Sequence, residues 1–593
     1  MECCMDLLTK LASFLRANLV RVLLLVLLFC VSWLGVTGFL AARELTAARS
    51  EISEIVGVDA LDQPVVLADT LGNSRAHANK AHNLVTGPIW WLTSQIPALG
   101  NSPKAVRAVT ASLDQILDST TELENDLRQI KVSSGEVINP QLATAIGASM
   151  ATLSEPVDDS LQRLDALSFF LVPNSISAPA QQLTSQLETI QPYLIEGPSF
   201  AKAIPVLLGI DKPREWLLVF ENGAEARATG GFPGGWGRLT ASNGNFTLGN
   251  LESNDAFASA PLTDVSTLVT QDAINLYGSD LTRLSDMNLS PDFPFNAKLM
   301  WSIYKQNKGV APDGLIALDQ HALASIMRVT GPVSVDGYEV TSENAVVYIT
   351  KVVYEKYPDP VKKDIVILNL VKNVFAKLSE GTGPIGLTKA LLPAIRDGRI
   401  QAWISDPQQE DIFLSSSLGG SLADYKNPTH AAVLINGGGN KVDAYVQSDV
   451  VYTVGQCRPY LPYRDSIMRI TLNNSAPASG LPVYVTPRND RGELFPEDPG
   501  STRMLVYLHV PLGAEFQTAT VDGVDIPLLL EGTENDRTVW RLDVEMPAES
   551  EQVLLVTFSE PAIGDEPSPI LWTQPMALPM EVSVVAGPPC GLG

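Results

Sequence analysis

The sequence predicts a multidomain α+β protein with an N-terminal transmembrane helix, a helical stalk, a central α/β domain and a C-terminal antiparallel β-sandwich. Its 593 residues exceed the roughly 250 that one hydrophobic core can hold, and 45% of them are hydrophobic. One long uncharged run lies near the start. Beyond it, the apolar pattern changes from helical spacing to strand-like alternation. Several cores are therefore expected.

The composition and the predicted boundaries limit what the chain can bind. A formal charge of −25 argues against nucleic acid as a partner, because phosphates need a basic surface. Acidic surfaces suit a solvated exterior protein and can collect divalent cations. We expect a short cytoplasmic N-terminus (1–21), a transmembrane helix (22–42), an extracytoplasmic helical stalk or bundle (43–200), a central α/β domain with a glycine-rich motif (201–430) and a β-sandwich (431–593).

The uncharged run extends from Val22 to Ala42. As a helix it is long enough to cross about 30 Å of hydrocarbon. A signal-peptide core would be shorter, about 7 to 15 residues, and no clear cleavage site follows, so we expect an uncleaved signal anchor. No second run of this length occurs. The sequence thus predicts a single-pass protein of the cell membrane whose bulk is extracytoplasmic.

The next 150 residues show helical spacing. Apolar residues recur every three or four positions, and Pro103 and Pro140 lie where helices can start. This pattern predicts the stalk or bundle; a partner-binding coiled coil is the alternative, although the heptads are short. The adjacent Trp90 and Trp91 either pack inside the bundle or touch the membrane interface.

The central domain is predicted from alternating strands and helices. Val206–Ile210 and Glu215–Phe220 are expected to be strands. Further along, 313–318 reads as a strand, 320–329 as a helix and 333–335 as a returning strand. This order is typical of an α/β unit.

A glycine-dense motif, ENGAEARATGGFPGGWG, starts at Glu221. Little side-chain bulk surrounds Arg227, so backbone and guanidinium could bind an oxyanion together. Glu221 or Glu225 could hold a hard cation such as magnesium. The alternative is a glycine-rich hairpin in which the arginine and a glutamate pair with each other.

Several motifs together resemble a known family. They are ENGAEARATGGF, SPDFPFNAKLM at 290–300, DGLIALDQHALASIMRVTGPVSVDGYEVTSENA at 313–345, GGGNKVDAY at 437–445 and SGLPVYV at 479–485. The chain resembles, from roughly Trp90 to its C-terminus, the bacterial family known as domain of unknown function 4012. The resemblance implies a single-pass envelope protein of Gram-positive, often actinobacterial, cells and implies no particular activity.

The order of elements is also similar to that of the LytR-CpsA-Psr transferases, which attach lipid-linked glycopolymers to peptidoglycan. This likeness implies catalytic roles for Arg227 and Asp292, magnesium on Glu225 and Asp292, and a polyprenyl-pyrophosphate-linked substrate. No motif requires another cofactor. The turn 288–296 would then face the glycine-rich loop; otherwise it is a surface loop. The candidate ligand-binding set is Asn222, Glu225, Arg227, Gly230, Gly231 and Arg238.

The sequence lacks the motifs that are typical of several other enzyme classes. The chain has no GxxxxGK[ST], HExxH, CxxC or GxSxG motif, which argues against standard nucleotide hydrolysis, zinc proteolysis and serine hydrolysis. The segment NGGGNK at 436–441 either cradles a phosphate or forms a hairpin turn.

The C-terminal part shows short alternating strands, the pattern of an antiparallel sandwich. Cys457 and Cys590 either form a disulfide or remain buried thiols. The strands are expected at 450–454, 467–472, 483–485, 504–510, 539–544 and 553–558.

Two functions remain open at this point. The first is a non-catalytic envelope protein that binds or scaffolds wall or polysaccharide components. The alternative is a magnesium-assisted transferase of a lipid-linked glycopolymer. The partners expected are therefore a membrane and a cell-wall glycopolymer or polyprenyl-phosphate lipid.

Overall fold

The computed structural model describes residues 28–51, 63–130, 140–257, 261–263, 265, 267–379, 384–422, 429–458, 461–490, 498–562, 569–587 and 590. These residues fall into two compact units: the first ends at Ala201, and the second comprises the residues from Lys202 onward together with Pro140. Each unit is built around its own secondary structure.

The described part of the first unit is helical. Proline occupies the first helical position of α2, α3 and α6, where the missing N–H costs no hydrogen bond. Pro140 therefore starts a helix as predicted, whereas α4 begins two residues before Pro103. The helices are α1 (Leu28–Glu51), α2 (Pro64–Val85), α3 (Pro88–Ser94), α4 (Asn101–Asp118), α5 (Thr121–Gln129), α6 (Pro140–Asp165) and α7 (Asn174–Leu207).

Helix α1 is long and apolar enough to cross a membrane. Residues 22–27 of the predicted span lie outside the described residues. At the other end, the predicted strand Val206–Ile210 is wrong. Ala203 and Val206 are buried at helical spacing, so α7 continues to Leu207 and a turn follows.

A mixed sheet organises the start of the second unit. Its strand order is β3-β2-β1-β4-β7, with β1 and β4 parallel and the other neighbours antiparallel. Residues 216–219 of β1 are buried, as a strand covered on both faces requires. The strands are β1 (Arg214–Asn222), β2 (Phe232–Ser242), β3 (Asn245–Ser253), β4 (Gly314–Leu318) and β7 (Ile400–Ile404).

Strands β5 (Val333–Val335) and β6 (Tyr338–Val340) pair only with each other. Asp336 and Gly337 join them, and both have positive φ, which suits a two-residue hairpin turn. The predicted return of 333–335 to the main sheet is therefore wrong, because the local hairpin takes its hydrogen bonds.

Helices surround this sheet. A π-helix, Tyr348–Val352, lies between α11 and α12. The α-helices are α8 (Gln271–Tyr277), α9 (Phe293–Lys308), α10 (Gln320–Thr330), α11 (Ala345–Val347), α12 (Val353–Lys356), α13 (Pro360–Ser379), α14 (Pro384–Arg396) and α15 (Pro407–Leu414).

Two further sheets follow, with orders β14-β15-β11-β8-β17 and β13-β12-β16-β10-β9-β18. Buried side chains from both, including Leu434, Met468 and Trp540, form one hydrophobic cluster. The strands are β8 (Thr429–Asn436), β9 (Val446–Cys457), β10 (Tyr463–Asn474), β11 (Thr502–Pro511), β12 (Glu515–Val521), β13 (Val524–Asp525), β14 (Leu530–Glu534), β15 (Arg537–Met546), β16 (Ser550–Pro561), β17 (Ile570–Trp572) and β18 (Glu581–Val585).

Five of the six strands predicted in this region coincide with observed strands, whereas 483–485 lies in a turn. A second cluster joins Leu217 of β1 to Val433 and Ile435 of β8, so the central sheet shares its core with β8. The boundary expected at residue 430 stays a prediction.

A disulfide joins the end of β9 to the C-terminal segment. Cys457 and Cys590 are bridged, with 5.6 Å between their Cα atoms. The bridge settles the alternative that the sequence left open.

Candidate functional site

A cavity of about 740 Å³ in the second unit meets the glycine-rich motif. Its wall comes from the hairpin joining β1 to β2, the NGGGNK loop after β8, residues 484–490, the π-helix and α13. Pockets of about 300–1,000 Å³ are typical of small-ligand sites.

The glycine-rich motif forms a hairpin, as one of its two readings predicted. Strands β1 and β2 pair up to Asn222 and Phe232, and residues 223–231 make the connection. Gly231 has φ +143°, and a Cβ there would lie 2.3 Å from the carbonyl carbon of Asn222. Gly230 likewise leaves room for Glu221. These two glycines shape the loop and do not line the cavity.

Arg227 lies in the hairpin with only 5% of its side chain exposed. Its Nη2 is 2.6 Å from Glu225 Oε1 and 3.6 Å from an oxygen of Asp286. Burial lowers the pKa of Arg227, while the charges of Asp286 and Asp443 oppose this shift. Arg227 therefore pairs with carboxylates and at the same time faces the cavity.

The second cation comes from the NGGGNK loop. Lys441 contacts the other carboxylate oxygen of Glu225, and its Nζ lies 4.9 Å from the centroid of the Phe232 ring. The predicted hairpin turn at 436–441 is wrong, because β8 and β9 belong to different sheets and the loop crosses between them. Gly439 has φ +72°, and a Cβ there would lie 2.5 Å from the Asn489 amide.

Asp443 accepts hydrogen bonds from both loops. Its buried carboxylate accepts hydrogen bonds from the Ala226 backbone N–H and from Asn436 Nδ2, each at 2.7 Å. Burial raises the pKa of Asp443 to about 6, against those hydrogen bonds and the nearby charges of Arg227 and Lys441. This residue therefore ties the first glycine-rich loop to the second.

Two tyrosines and a lysine form another part of the wall. The rings of Tyr354 and Tyr484 are nearly parallel, 14° apart, with centroids separated by 5.8 Å. Lys363 Nζ lies 4.5 Å from the Tyr484 centroid and 2.8 Å from Asp364. Asn222 Nδ2 donates to the Tyr354 hydroxyl at 3.0 Å. Burial raises the pKa of Tyr354, so the phenol stays protonated.

Two predicted site residues lie elsewhere. Asp292 occupies the N-cap position of α9 without a side-chain capping hydrogen bond, and its carboxylate accepts a hydrogen bond from Ser421 at 3.0 Å. Arg238 is half exposed on β2, 3.5 Å from Glu215. Neither lines the cavity, so the structure does not bring Asp292 to Glu225. Among the described residues, no group of three or more acidic, histidine or cysteine side chains could hold a metal ion.

The turn 288–296 is not a surface loop. Asn288 is fully buried and donates to Glu221 Oε1 at 2.9 Å and to the Gly231 carbonyl at 2.7 Å. The turn therefore contacts the glycine-rich loop, but it does so through the Asn288 amide and not through an acidic side chain. Burial holds the pKa of Glu221 well above its usual range, and this side chain does not line the cavity. Burial therefore opposes the ionised form that a magnesium ligand needs.

Sequence reasoning missed most side chains of the wall, and four of them supply its aromatic and further cationic groups: Tyr354, Lys363, Lys441 and Tyr484. Lys441 and Tyr484 fall within quoted family motifs, which was the available signal. Lys363 looked like an ordinary residue of an amphipathic helix. None of the four is close in sequence to Arg227, so only the fold assembles them.

Comparison with known proteins finds a family-model match in the central part of the chain. Residues 211–354 match the family model described as Protein of unknown function (DUF4012). The match includes the glycine-rich hairpin and Tyr354, and it is narrower than the resemblance drawn from the motifs. No curated protein and no solved structure matches the chain. The likeness to LytR-CpsA-Psr transferases has no support from these comparisons.

Proposed function

We propose that the protein is a membrane-anchored, exterior cell-envelope protein whose cavity binds an uncharged saccharide segment of a wall or polysaccharide component. The observation that carries this proposal is the charge state of the cavity wall. The cations that reach the wall are each already paired with a carboxylate. The wall therefore favours a neutral polar ligand over a phosphate.

Negative charge predominates in the wall. Five carboxylates face three cations, and Glu225 is shared by two of the cations. A pyrophosphate would have to displace these internal pairs, because phosphoryl groups need strong charge neutralisation. The carboxylates are Glu225, Asp255, Asp286, Asp364 and Asp490; the cations are Arg227, Lys363 and Lys441.

Aromatic and amide groups complete a surface that suits sugars. Tyr484 is 36% exposed and offers a ring next to buried Tyr354. Carboxamides both donate and accept hydrogen bonds, as sugar hydroxyls do. Aromatic rings bury large apolar area with a fixed geometry, which suits the C–H face of a sugar ring. The amides in the wall are Asn222, Asn254, Asn436 and Asn489.

Two features support the exterior, anchored location. Disulfides persist in oxidising compartments, and Cys457 is bridged to Cys590. The C-terminal half of α1 is packed within its own unit, since Ala41 and Ala48 are buried. A cleaved signal sequence would remove part of this packing, so the arrangement favours a retained anchor.

The transferase alternative has less support. It needs Arg227 free to neutralise phosphate and a carboxylate pair for magnesium. Arg227 is engaged by Glu225 and Asp286, and Asp292 lies outside the wall. We therefore favour binding over transfer.

The test is calorimetric titration of the full chain in lipid nanodiscs. The probes are neutral N-acetylhexosamine oligosaccharides, neutral pentose and hexose oligosaccharides, and a polyprenyl pyrophosphate with and without magnesium. We expect a neutral oligosaccharide to bind. Saturable binding of the pyrophosphate alone, lost in Arg227→Ala, would instead favour the transferase.

A further inference from the structure

One end of the helical unit can be identified from the pairing of α1 with α2. Ser74 Oγ donates to the Ala48 carbonyl at 3.4 Å, and His77 Nδ1 lies 2.7 Å from Glu44 Oε2. As the residue numbers on α2 increase, the residue numbers of the α1 residues that they contact decrease, from Ala48 to Glu44. The two helices are therefore antiparallel. Trp90, in α3, continues this series.

Helix α3 lies beside the apolar part of α1. The Trp90 indole N–H donates to Thr37 Oγ1 at 2.9 Å, and both side chains are buried. Thr37 is five residues inside the uncharged run that ends at Ala42, which is about 7.5 Å along a helix. If α1 spans the bilayer, as proposed above, α3 lies at the depth where hydrocarbon meets headgroups.

A second segment reaches the same end. Helices α4 and α6 are antiparallel, because Arg163 Nη1 donates to Ser112 and Gln115 Nε2 donates to Asp159, each at 3.0 Å. The α6–α7 loop then meets the start of α4, where Asn101 Nδ2 donates to the Phe170 carbonyl at 2.9 Å. The loop 166–173 and α3 are therefore close to opposite ends of the short segment 95–101.

Large apolar side chains are exposed on both segments. Their exposed fractions range from 45% to 72%, which is costly in water. Cations adjoin them: Lys104 is exposed, and Arg107 Nη1 donates to Ser94 Oγ at 3.3 Å. Such side chains suit anionic headgroups. The apolar residues are Trp91, Leu92, Ile96, Leu99, Phe170 and Leu171.

From this arrangement we infer that α3, the segment 95–100 and the α6–α7 loop form a membrane-contact surface that inserts into the outer interface of the bilayer. The occupant is lipid, because the surface adjoins the apolar part of α1 and combines tryptophan, aliphatic side chains and cations. The inference rests on the proposed anchoring by α1. It adds that the bundle end lies in the membrane and does not stand above it.

The test uses nitroxide spin labels on the full chain in phosphatidylcholine and phosphatidylglycerol vesicles. Cys3, Cys4 and Cys30 are replaced by serine, and the bridged pair is kept. Labels are placed at Leu99→Cys and Phe170→Cys. The matched control is Val66→Cys, an equally apolar exposed site about 28 Å along α2 from Val85. Phe39→Cys reports separately on α1.

The measured quantity is the rate at which each spin label collides with oxygen, divided by the rate at which it collides with a water-soluble nickel complex. We expect the oxygen-to-nickel ratio at Leu99 and Phe170 to exceed that at Val66 several-fold. Ratios equal to that of Val66 overturn the membrane-contact surface, even if Phe39 is in lipid. A water-like ratio at Phe39 overturns the anchoring by α1 instead, so the two failures are distinguishable.

Discussion

Glu225 faces Arg227 with one carboxylate oxygen and Lys441 with the other, and its side chain is 5% exposed. Removing one partner of a buried ion pair leaves an uncompensated charge, which typically costs about 3–5 kcal/mol. This carboxylate therefore holds both glycine-rich loops at the cavity.

We predict that Glu225→Gln lowers the free energy of unfolding by about 3 kcal/mol. Urea unfolding of the full chain in detergent, followed by tryptophan fluorescence, measures the change. Glu215→Gln is the matched control, because Glu215 pairs with Arg238 at a half-exposed site and should cost less than about 1 kcal/mol. Equal costs in the two variants would refute the role of Glu225.

Glu534 makes a pH-dependent contribution to the free energy of unfolding. It accepts hydrogen bonds from Tyr277 at 2.7 Å and Ser290 at 2.8 Å, and burial raises its pKa to about 7. Asp292 adds to the shift and Arg537 opposes it, while His509, 3.7 Å away, stays neutral because burial lowers its pKa to about 3.

Folding raises the pKa of Glu534, so between about pH 4.5 and 7 the folded protein keeps a proton that the unfolded chain has released. Stability from this group is present below pH 4.5 and is lost as pH rises through 7. We predict that Glu534→Gln reduces the loss of unfolding free energy between about pH 4.5 and 7 by about 2–3 kcal/mol. Urea unfolding at several pH values tests it; an unchanged slope would count against the assignment.

At the scale of elements, the NGGGNK loop depends on a left-handed glycine in a crowded place. Gly439 and Gly337 have similar φ values, +72° and +76°, but a Cβ at Gly337 would meet open space. We predict that Gly337→Ala costs about 1 kcal/mol from backbone strain alone. Gly439→Ala should cost more, because it also clashes with Asn489.

The Gly439→Ala and Gly337→Ala variants also test whether the NGGGNK loop is part of the ligand site. Calorimetric titration with the oligosaccharide that binds wild-type protein should show a several-fold weaker affinity for Gly439→Ala and no change for Gly337→Ala. Identical behaviour of the two variants in both stability and binding would contradict this account of the loop.

Local patterns predicted individual elements well and their connections poorly. The hairpin at Arg227 and its pairing with a glutamate could be predicted, since both depend on neighbours in sequence. The path of the NGGGNK loop could not be predicted, because a glycine-rich turn between two strands looks the same whether the strands pair or lie in different sheets. The strand predicted at 206–210 failed for a related reason: a short apolar run suits either a strand or the end of a helix.

For the whole molecule, the cavity depends on segments from 220 to 490, and the family match covers only part of them. The sequence predicted Asn222, Glu225 and Arg227 at the site. It also predicted Asp292 there, because an acid in a polar turn resembles a ligand until the fold shows that its carboxylate is bound by Ser421 at the start of a helix. The tyrosine pair adds a contact surface that was not predicted, although Tyr484 falls within the SGLPVYV motif.

The most direct test of the saccharide-binding proposal compares two tyrosine variants in the calorimetric titration with neutral oligosaccharides. Tyr484→Ala removes an exposed ring from the wall, whereas Tyr338→Ala removes a ring that stacks on Tyr348 outside it. An aromatic contact contributes about 0.5–1.5 kcal/mol, so we predict an affinity loss of up to about tenfold for Tyr484→Ala and none for Tyr338→Ala. Wild-type protein that binds no neutral oligosaccharide, or binds one equally well in both variants, would contradict the proposal.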